Sequence, residues 1–335
     1  MLPLGVVIPT KNSMPYLPRH VAGLRPWLDL AAEVVVVDSY STDGTLDYLR
    51  ANLEHPALQF ASHPPGLYAS WNYGIAQIRS KYVYIATTGD TITRDGICQL
   101  AATAESLGCD VVISKPSFCN PAGQSLPDIA WPIDDVIATL EVTQPRKLHQ
   151  LEAVIFATVH PNGALTSSCA SGLFRTEILQ RLPFPTVFGV SGDAAWGAQH
   201  AAEVRWGVVP EKISTFLRHP TNASAEENQT HAGARRMDAV IRDAAQTWCR
   251  NGTIRTEDLA LISWSEMLVT LTSYLDAKGQ FDQLRRGGWP WALNPTAWRV
   301  RWQRNRMFTR LHQLKRAALA RAKPEEPLLE PSYPG

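Results

Sequence analysis

An α/β sheet, its strands alternating with helices, is the fold class that this 335-residue sequence predicts. Three observations predict it. Short apolar runs recur at Val6–Ile8, Val34–Val37, Tyr82–Ala86 and Asp110–Ile113, with helix-patterned segments between them. Four successive valines at Val34–Val37 suit a parallel strand covered on both faces. Polar loops follow Val37 and Ala86, at the strand ends where open α/β sheets bind their ligands.

The first strand, Val6–Ile8, is ended by Pro9, which has no amide hydrogen to offer a ladder. Tyr16–Leu30 has helical spacing with prolines at its edges. The valine strand runs into the polar loop Asp38–Thr45, and Thr45–Leu53 reads as a helix. Leu58–Phe60 is a third strand, Ala69–Ile78 a helix, Tyr82–Ala86 the fourth strand, Thr93–Leu107 a helix and Asp110–Ile113 another strand. Beyond about residue 120 the alternation weakens. Pro121–Pro132 reads as loop, Asp134–Leu140 and Arg146–Phe156 as helices, and Ser171–Leu179 as strand then helix. Val204–Val209 and Ile213–Leu217 read as strands, and helical patterns dominate Ala234–Gln280.

Hydrophobic residues make up 45% and charged residues 19%, which excludes disorder over most of the length. The net charge of +1 conceals a split. Arg285–Lys323 holds 11 of the 32 basic residues and none of the 31 acidic ones, leaving 21 basic against 31 acidic elsewhere, a net of −10. The five cysteines form no C-x-x-C, so free thiols in a reducing cytosol are expected rather than a zinc site. Met1–Pro9 lacks the basic start and long apolar run of a secretory leader, and no run of about 18 apolar residues is present. A cytoplasmic location follows as the expectation.

Three segments carry a resemblance. They are Val6-Val-Ile-Pro-Thr-Lys-Asn12, then Val34-Val-Val-Val-Asp-Ser-Tyr-Ser-Thr-Asp-Gly-Thr45, then Gly66-Leu-Tyr-Ala-Ser-Trp-Asn-Tyr-Gly-Ile-Ala76 running on to Tyr84-Ile-Ala-Thr-Thr-Gly-Asp90. In order, spacing and strand context over residues 5–95 the chain resembles the family 2 glycosyltransferases, inverting enzymes of the GT-A fold. The resemblance implies a Rossmann-like, nucleotide-diphospho-sugar-transferase mixed sheet flanked by helices, followed here by a C-terminal helical region. It is closest to the branch whose fourth-strand motif ends Asn-Ser-Gly-Asp, whose members serve polysaccharide and lipopolysaccharide assembly; the matching tetrad here is Thr87-Thr88-Gly89-Asp90.

Inverting sugar transfer needs a held and neutralised nucleoside diphosphate, a base for the acceptor hydroxyl, and in-line placement of donor and acceptor. The resemblance assigns donor binding to Pro9, Thr10, Asp38, Asn72, Gly74, Thr88, Asp90 and His219. Asp38 ends an apolar strand, where a carboxylate accepts from a nucleobase or ribose; capping the next helix is its other reading. The family's second acid is Ser39 here, and Asp43 reads as a turn or cap residue. Asn72 and Gly74 fall in the family's Asn-x-Gly helix, as donor contacts or as a close packing contact. Arg79 reads as a phosphate contact or, more simply, a solvated side chain.

The family's metal motif, Asp-x-Asp, has Thr87 and Gly89 at its acidic positions, which leaves Asp90. One carboxylate with diphosphate oxygens suffices for Mg²⁺ or Mn²⁺, so a divalent cation at Asp90 stands beside weak metal dependence and beside a plain turn residue. Asp193, in Ser191-Gly-Asp-Ala-Ala-Trp196, is the expected catalytic base, the alternative being a carboxylate on a helix N-terminus. Arg218-His219 resembles the segment that closes over the diphosphate, or an exposed loop. Arg175, in the acceptor-side strand, reads as structural.

The C-terminal arm sets Trp289, Trp291, Trp298 and Trp302 among arginines. Ala297–Ala322 is helical in pattern, with Trp298, Trp302, Leu311, Leu314 and Leu319 as parts of an apolar stripe. Such a helix suits an anionic membrane surface through 285–323, packing on the chain's own acidic body, or, behind both, nucleic acid. The expected organisation is a glycosyltransferase domain over 1–225, a helical extension over 226–284, and the basic arm with its proline-rich tail over 285–335. The expected partners are a nucleotide-sugar donor and a saccharide or lipid-linked acceptor, with the enzyme cytoplasmic or peripheral at the inner face of the membrane. A non-catalytic domain that binds nucleotide sugars or scaffolds other proteins is the alternative.

Overall fold

The computed structural model describes residues 1–166, 168–219, 237–286 and 293–322. The chain divides into two compact units, Met1–Ala245 and Gln246–Gly335. The boundary expected at 225 lies in 220–236, outside the described residues, as do Trp289, Trp291 and the proline-rich tail.

The first unit is built on an eight-stranded mixed sheet in the order β3-β2-β1-β4-β9-β6-β10-β8. The strands are β1 (Leu4–Thr10), β2 (Glu33–Asp38), β3 (Leu58–Ser62), β4 (Tyr82–Ile85), β6 (Val111–Ser114), β8 (Arg146–Lys147), β9 (Gly172–Arg175) and β10 (Trp206–Val209). A second sheet, ordered β5-β11-β7, joins Thr91–Ile92 (β5), Ser214–Leu217 (β11) and Ser117–Cys119 (β7). Among the described residues, eight helices accompany the sheets: α1 (Leu17–Leu24), α2 (Thr45–Asn52), α3 (Leu67–Ile75), α4 (Arg94–Ser106), α5 (Pro132–Thr139), α6 (Gln150–Val159), α7 (Thr176–Arg181) and α8 (Gly192–Gln199). A mixed sheet flanked by helices is the architecture that the resemblance implied.

The valine strand is wholly buried along Val34–Asp38, which is why β-branched residues occupy both of its faces. Val6, Ile8, Val34 and Val36 join a core with Leu17, Val21, Leu49 and Ile97. Val7 and Val37 point to the other face, under α3, where a Cβ on Gly74 would stand 2.6 Å from Val7 Cγ1 and 2.9 Å from Val37 Cγ2. Glycine there lets the helix axis approach the sheet.

Strands β2 and β3 lie on one side of β1 and β4 on the other, all parallel, so the chain reverses its direction of travel across the sheet between β1 and β4. At such a switch point the loops beyond the strand ends part and leave a crevice. The paired ends Thr10 and Asp38, and the loop after Ile85, open onto it.

Two expectations change, and two strands gain their place. Tyr16–Leu30 is helical only to Leu24, then turns at Pro26 and resumes as a 3₁₀ turn over Leu28–Leu30, because proline disfavours helix before it and donates nothing within it. Arg146–Lys147 is an edge strand antiparallel to β10, and the following helix starts only at Gln150, where the Glu152 carboxylate accepts from the His149 amide at 2.8 Å. The strand expected at Ile213–Leu217 forms over Ser214–Leu217 and belongs to the small sheet. The β9 strand runs antiparallel between β4 and β6.

The division between the two units falls within α9 (Met237–Arg250). The second unit holds α10 (Thr256–Leu261), α11 (Trp264–Arg286) and α12 (Pro295–Arg321). Phe281 of α11 packs with Ala297 and Val300 of α12, and Asn294 caps α12 by accepting from the amides of Thr296 and Ala297. Trp298 and Trp302 do not share a stripe with Leu311 and Leu314: the leucines are buried, the tryptophans 51% and 63% exposed. Among the described residues no helix is long and apolar enough to cross a membrane.

Candidate active site

The loops after β1 and β2 are tied into one rim. Ser41 donates its hydroxyl (2.6 Å) and its amide (3.0 Å) to the Asp38 carboxylate. The Asn12 amide donates to Ser41 Oγ at 2.8 Å, and Asn12 Oδ1 accepts from the Thr42 amide at 2.9 Å. Asn12 and Tyr40 hold left-handed φ values of 47° and 57° within this rim. Asparagine tolerates that region, but tyrosine is strained in it, and such strain gathers at binding sites. Asp43 accepts from the amides of Met14 and Thr45 at 3.0 Å each, the turn role expected of it. Thr10 is buried, and its hydroxyl has no partner among the described residues.

The loop after β4 closes the rim from the other side. Thr88 donates its hydroxyl to the Pro9 carbonyl at 3.1 Å. Gly89 turns through φ +96°, and a Cβ there would come within 2.6 Å of Leu217 Cδ2. Asp90 is thereby directed inward. Its carboxylate accepts from the Leu217 amide at 2.8 Å and from the Thr87 hydroxyl at 2.6 Å. Desolvation raises its pKa to about 7, against the pull of those two donors and of Arg19. The ring Nδ1 of His20 donates to the Asp90 carbonyl at 3.1 Å; burial lowers the histidine to about 4 and keeps it neutral.

A divalent cation asks for several hard oxygen ligands. Here both Asp90 oxygens already accept protein hydrogen bonds, and Thr87 and Gly89 supply no carboxylate. No group of three or more His, Cys, Asp or Glu side chains fit to hold a metal occurs among the described residues. Asp90 is therefore the one carboxylate that this motif offers a cation, and each of its oxygens already accepts one hydrogen bond.

Helix α3 carries the rim to the base candidate. Asn72 uses both ends of its amide on one backbone residue: Nδ2 donates to the Phe184 carbonyl at 2.8 Å and Oδ1 accepts from the Phe184 amide at 3.0 Å. With Gly74 seated on the valines, both residues of the Asn-x-Gly pair do packing work. One turn before Asn72, the Tyr68 hydroxyl donates to the Val190 carbonyl at 2.8 Å, and its ring packs against Gly192, the residue before Asp193. Gly192 is required because a Cβ would collide with the Tyr68 ring.

Asp193 is half-buried in the first turn of α8, with Oδ1 accepting from the Ala194 amide at 2.8 Å. Desolvation raises its pKa to about 6, with Tyr68 and the Ala194 amide opposing. Cys169 lies close to both carboxylates: burial first, then the charges of Asp193 and Asp90, push its thiol well above the ordinary value. Tyr68, Tyr40, Ser41 and Cys169 are the site neighbours that sequence reasoning missed. Only Tyr68 left a signal, one helical turn ahead of Asn72.

The structure sorts the remaining residues. His219 stacks on Tyr16 with ring centroids 4.2 Å apart, and burial lowers its pKa. Arg79 is far from the rim: its amide donates to Glu33, the first residue of β2, at the opposite end of the strand from Asp38. Arg175 donates to Asp110 at 3.0 Å, and Arg205 meets the same carboxylate at 2.6 Å, a structural cluster. Against the desolvation of its burial, Asp110 is held low by Arg205.

Residues 5–152 match the family model for glycosyl transferase family 2. Over this stretch the chain is similar to the family 2 glycosyl transferases. The stretch contains the whole rim around Asp38 and Asp90; Asp193 and His219 lie beyond it. No curated protein matches the chain. Solved structures share the fold. S. aureus TarS 1–349 in complex with UDP-GlcNAc aligns at TM-score 0.53 and 15% identity, over 96% of this chain and 92% of that one. Its complex with UDP aligns at 0.51 and 16% identity over the same shares. Mannosyltransferase PcManGT from Pyrobaculum calidifontis, in complex with GDP-Man and Mn²⁺, aligns at 0.51 and 18% identity, over 95% of this chain and 86% of that one. At these identities the likeness speaks for the fold alone.

Proposed function

We propose that the protein is an inverting glycosyltransferase. It moves a sugar from a nucleotide-sugar donor to a saccharide or lipid-linked acceptor, in cell-surface polysaccharide synthesis. The observation that carries the reading is Asp193: a half-buried carboxyl on a helix N-terminus with its pKa raised to about 6. A carboxylate tuned toward neutrality is matched to taking a proton from a hydroxyl. Thr10, Asp38 and Thr88 line the donor crevice, with Asp38 fixed by Ser41 so that its orientation is preset. His219 flanks the β1–α1 loop through Tyr16. The named solved structures hold UDP, UDP-GlcNAc or GDP-Man, which supports a nucleotide-sugar donor here. Mn²⁺ accompanies the donor in the mannosyltransferase; in this chain Asp90, whose oxygens accept from Thr87 and Leu217, is the residue that would meet a cation brought with the donor.

Asp193→Asn tests the reading. With a set of nucleotide sugars, turnover should fall roughly 10²–10⁴-fold while nucleotide affinity stays unchanged. Equal turnover of the two proteins would remove Asp193 as the base. The non-catalytic reading is favoured by one feature, the inward turn of Asp90, the last acid of the metal motif. Tight nucleotide binding without turnover of any nucleotide sugar would establish that reading instead.

A further inference from the structure

Helix α12 carries eight Arg or Lys residues and no Asp or Glu along its 27 residues. At about 100° per residue its apolar side chains fall on two separate faces. Ala297, Val300, Leu311 and Ala318 are buried. Trp298 and Trp302, one turn apart, are exposed on the other side. Arg301 lies over the Trp298 ring at 5.4 Å and Arg306 over the Trp302 ring at 5.5 Å. Arg299, also exposed, follows Trp298 directly. Large aromatics held in water beside a continuous run of positive charge mark an interaction surface.

We propose that this face of α12 docks on an anionic phospholipid surface. Trp298 and Trp302 enter the headgroup–acyl boundary, and Arg299, Arg301 and Arg306 meet lipid phosphates. The chemistry matches at each point. Indole has an apolar body and a donor that prefers the interface. The guanidinium fork bonds phosphate oxygens in pairs. The helix is far too polar to cross a bilayer, so it lies along the surface. The same face of a second copy is a poor occupant, because a two-fold contact would set the same eight positive charges against one another.

Flotation of the full chain with phosphatidylcholine vesicles, with and without phosphatidylglycerol, tests this. The protein should float with the anionic vesicles and stay behind with the neutral ones. Trp298→Ala/Trp302→Ala and Arg299→Gln/Arg306→Gln should each lower the bound fraction at least roughly tenfold. Both pairs are exposed, so helical circular dichroism should not change in either. Equal flotation of all three proteins, no flotation of any, or salt-dependent RNA binding without flotation would each overturn the proposal. So would a concentration-dependent dimer lost in the tryptophan variant and indifferent to vesicles. The readout is independent of sugar transfer, so its failure leaves the proposed reaction standing.

Discussion

At the scale of single residues, three carboxylates share one end of the sheet and meet three different environments. Asp38 is bonded by a serine at the rim, Asp90 is turned inward onto β11, and Asp193 is half-buried beside a phenol. Burial sets Asp193 at about 6, so kcat/KM should rise with pH through about 6 and then level off. The Tyr68 hydroxyl lowers that value, so Tyr68→Phe should move the rising limb to higher pH, as a pH–rate profile will show. A limb that stays in place would mean that Tyr68 does not tune the base. Asp90 has the opposite consequence for stability. Its folded pKa lies above the unfolded value, so its contribution is present at low pH and is lost as pH rises from about 4 through about 7. Asp90→Asn should reduce that decline and leave the part that Asp193 contributes between about 4 and about 6, measured by urea denaturation at several pH values, because an amide accepts from Leu217 without taking on charge. The identities and order of these acids are legible in the sequence. Their hydrogen bonds are not, because Leu217 lies 127 residues from Asp90 and Val190 lies 122 from Tyr68.

At the scale of elements, the sequence announces β1, β2, β4 and β6 by their apolar runs, and β3, β9, β10 and β11 by shorter ones. The short strands β5, β7 and β8 have only two or three residues each, too few to show a period. Helix α3 was legible as a helix, and its glycine as either donor contact or packing; the distances to Val7 and Val37 show close packing. Gly74→Ala should therefore destabilise the first unit by about 1–3 kcal/mol through overpacking, read as a lower denaturation midpoint. An unchanged midpoint would mean that the helix shifts freely. In the second unit, Phe281→Ala should cost about 3–5 kcal/mol in the α11–α12 pair, with faster hydrogen exchange along Pro295–Arg321 as the check.

At the scale of the whole molecule, the net charge of +1 is the sum of an acidic body and a basic arm. Opposite patches on a chain with little net charge attract between molecules, and salt screens that attraction. The protein should therefore self-associate most near its sequence pI of about 7.7 at low ionic strength, and disperse when salt is added. Light scattering against pH and salt will show this; scattering indifferent to salt would rule it out. The sequence by itself determined the fold class, the chain order of the three carboxylates and the charge split, because strand period, motif spacing and composition are local properties. Only the tertiary structure decided that Asp90 faces inward, that Tyr68 stands beside Asp193, and that the tryptophans of α12 lie on the side away from its leucines. Each of these depends on which distant segment packs against which face, and that partner is chosen by burial across the whole chain rather than by neighbours in sequence.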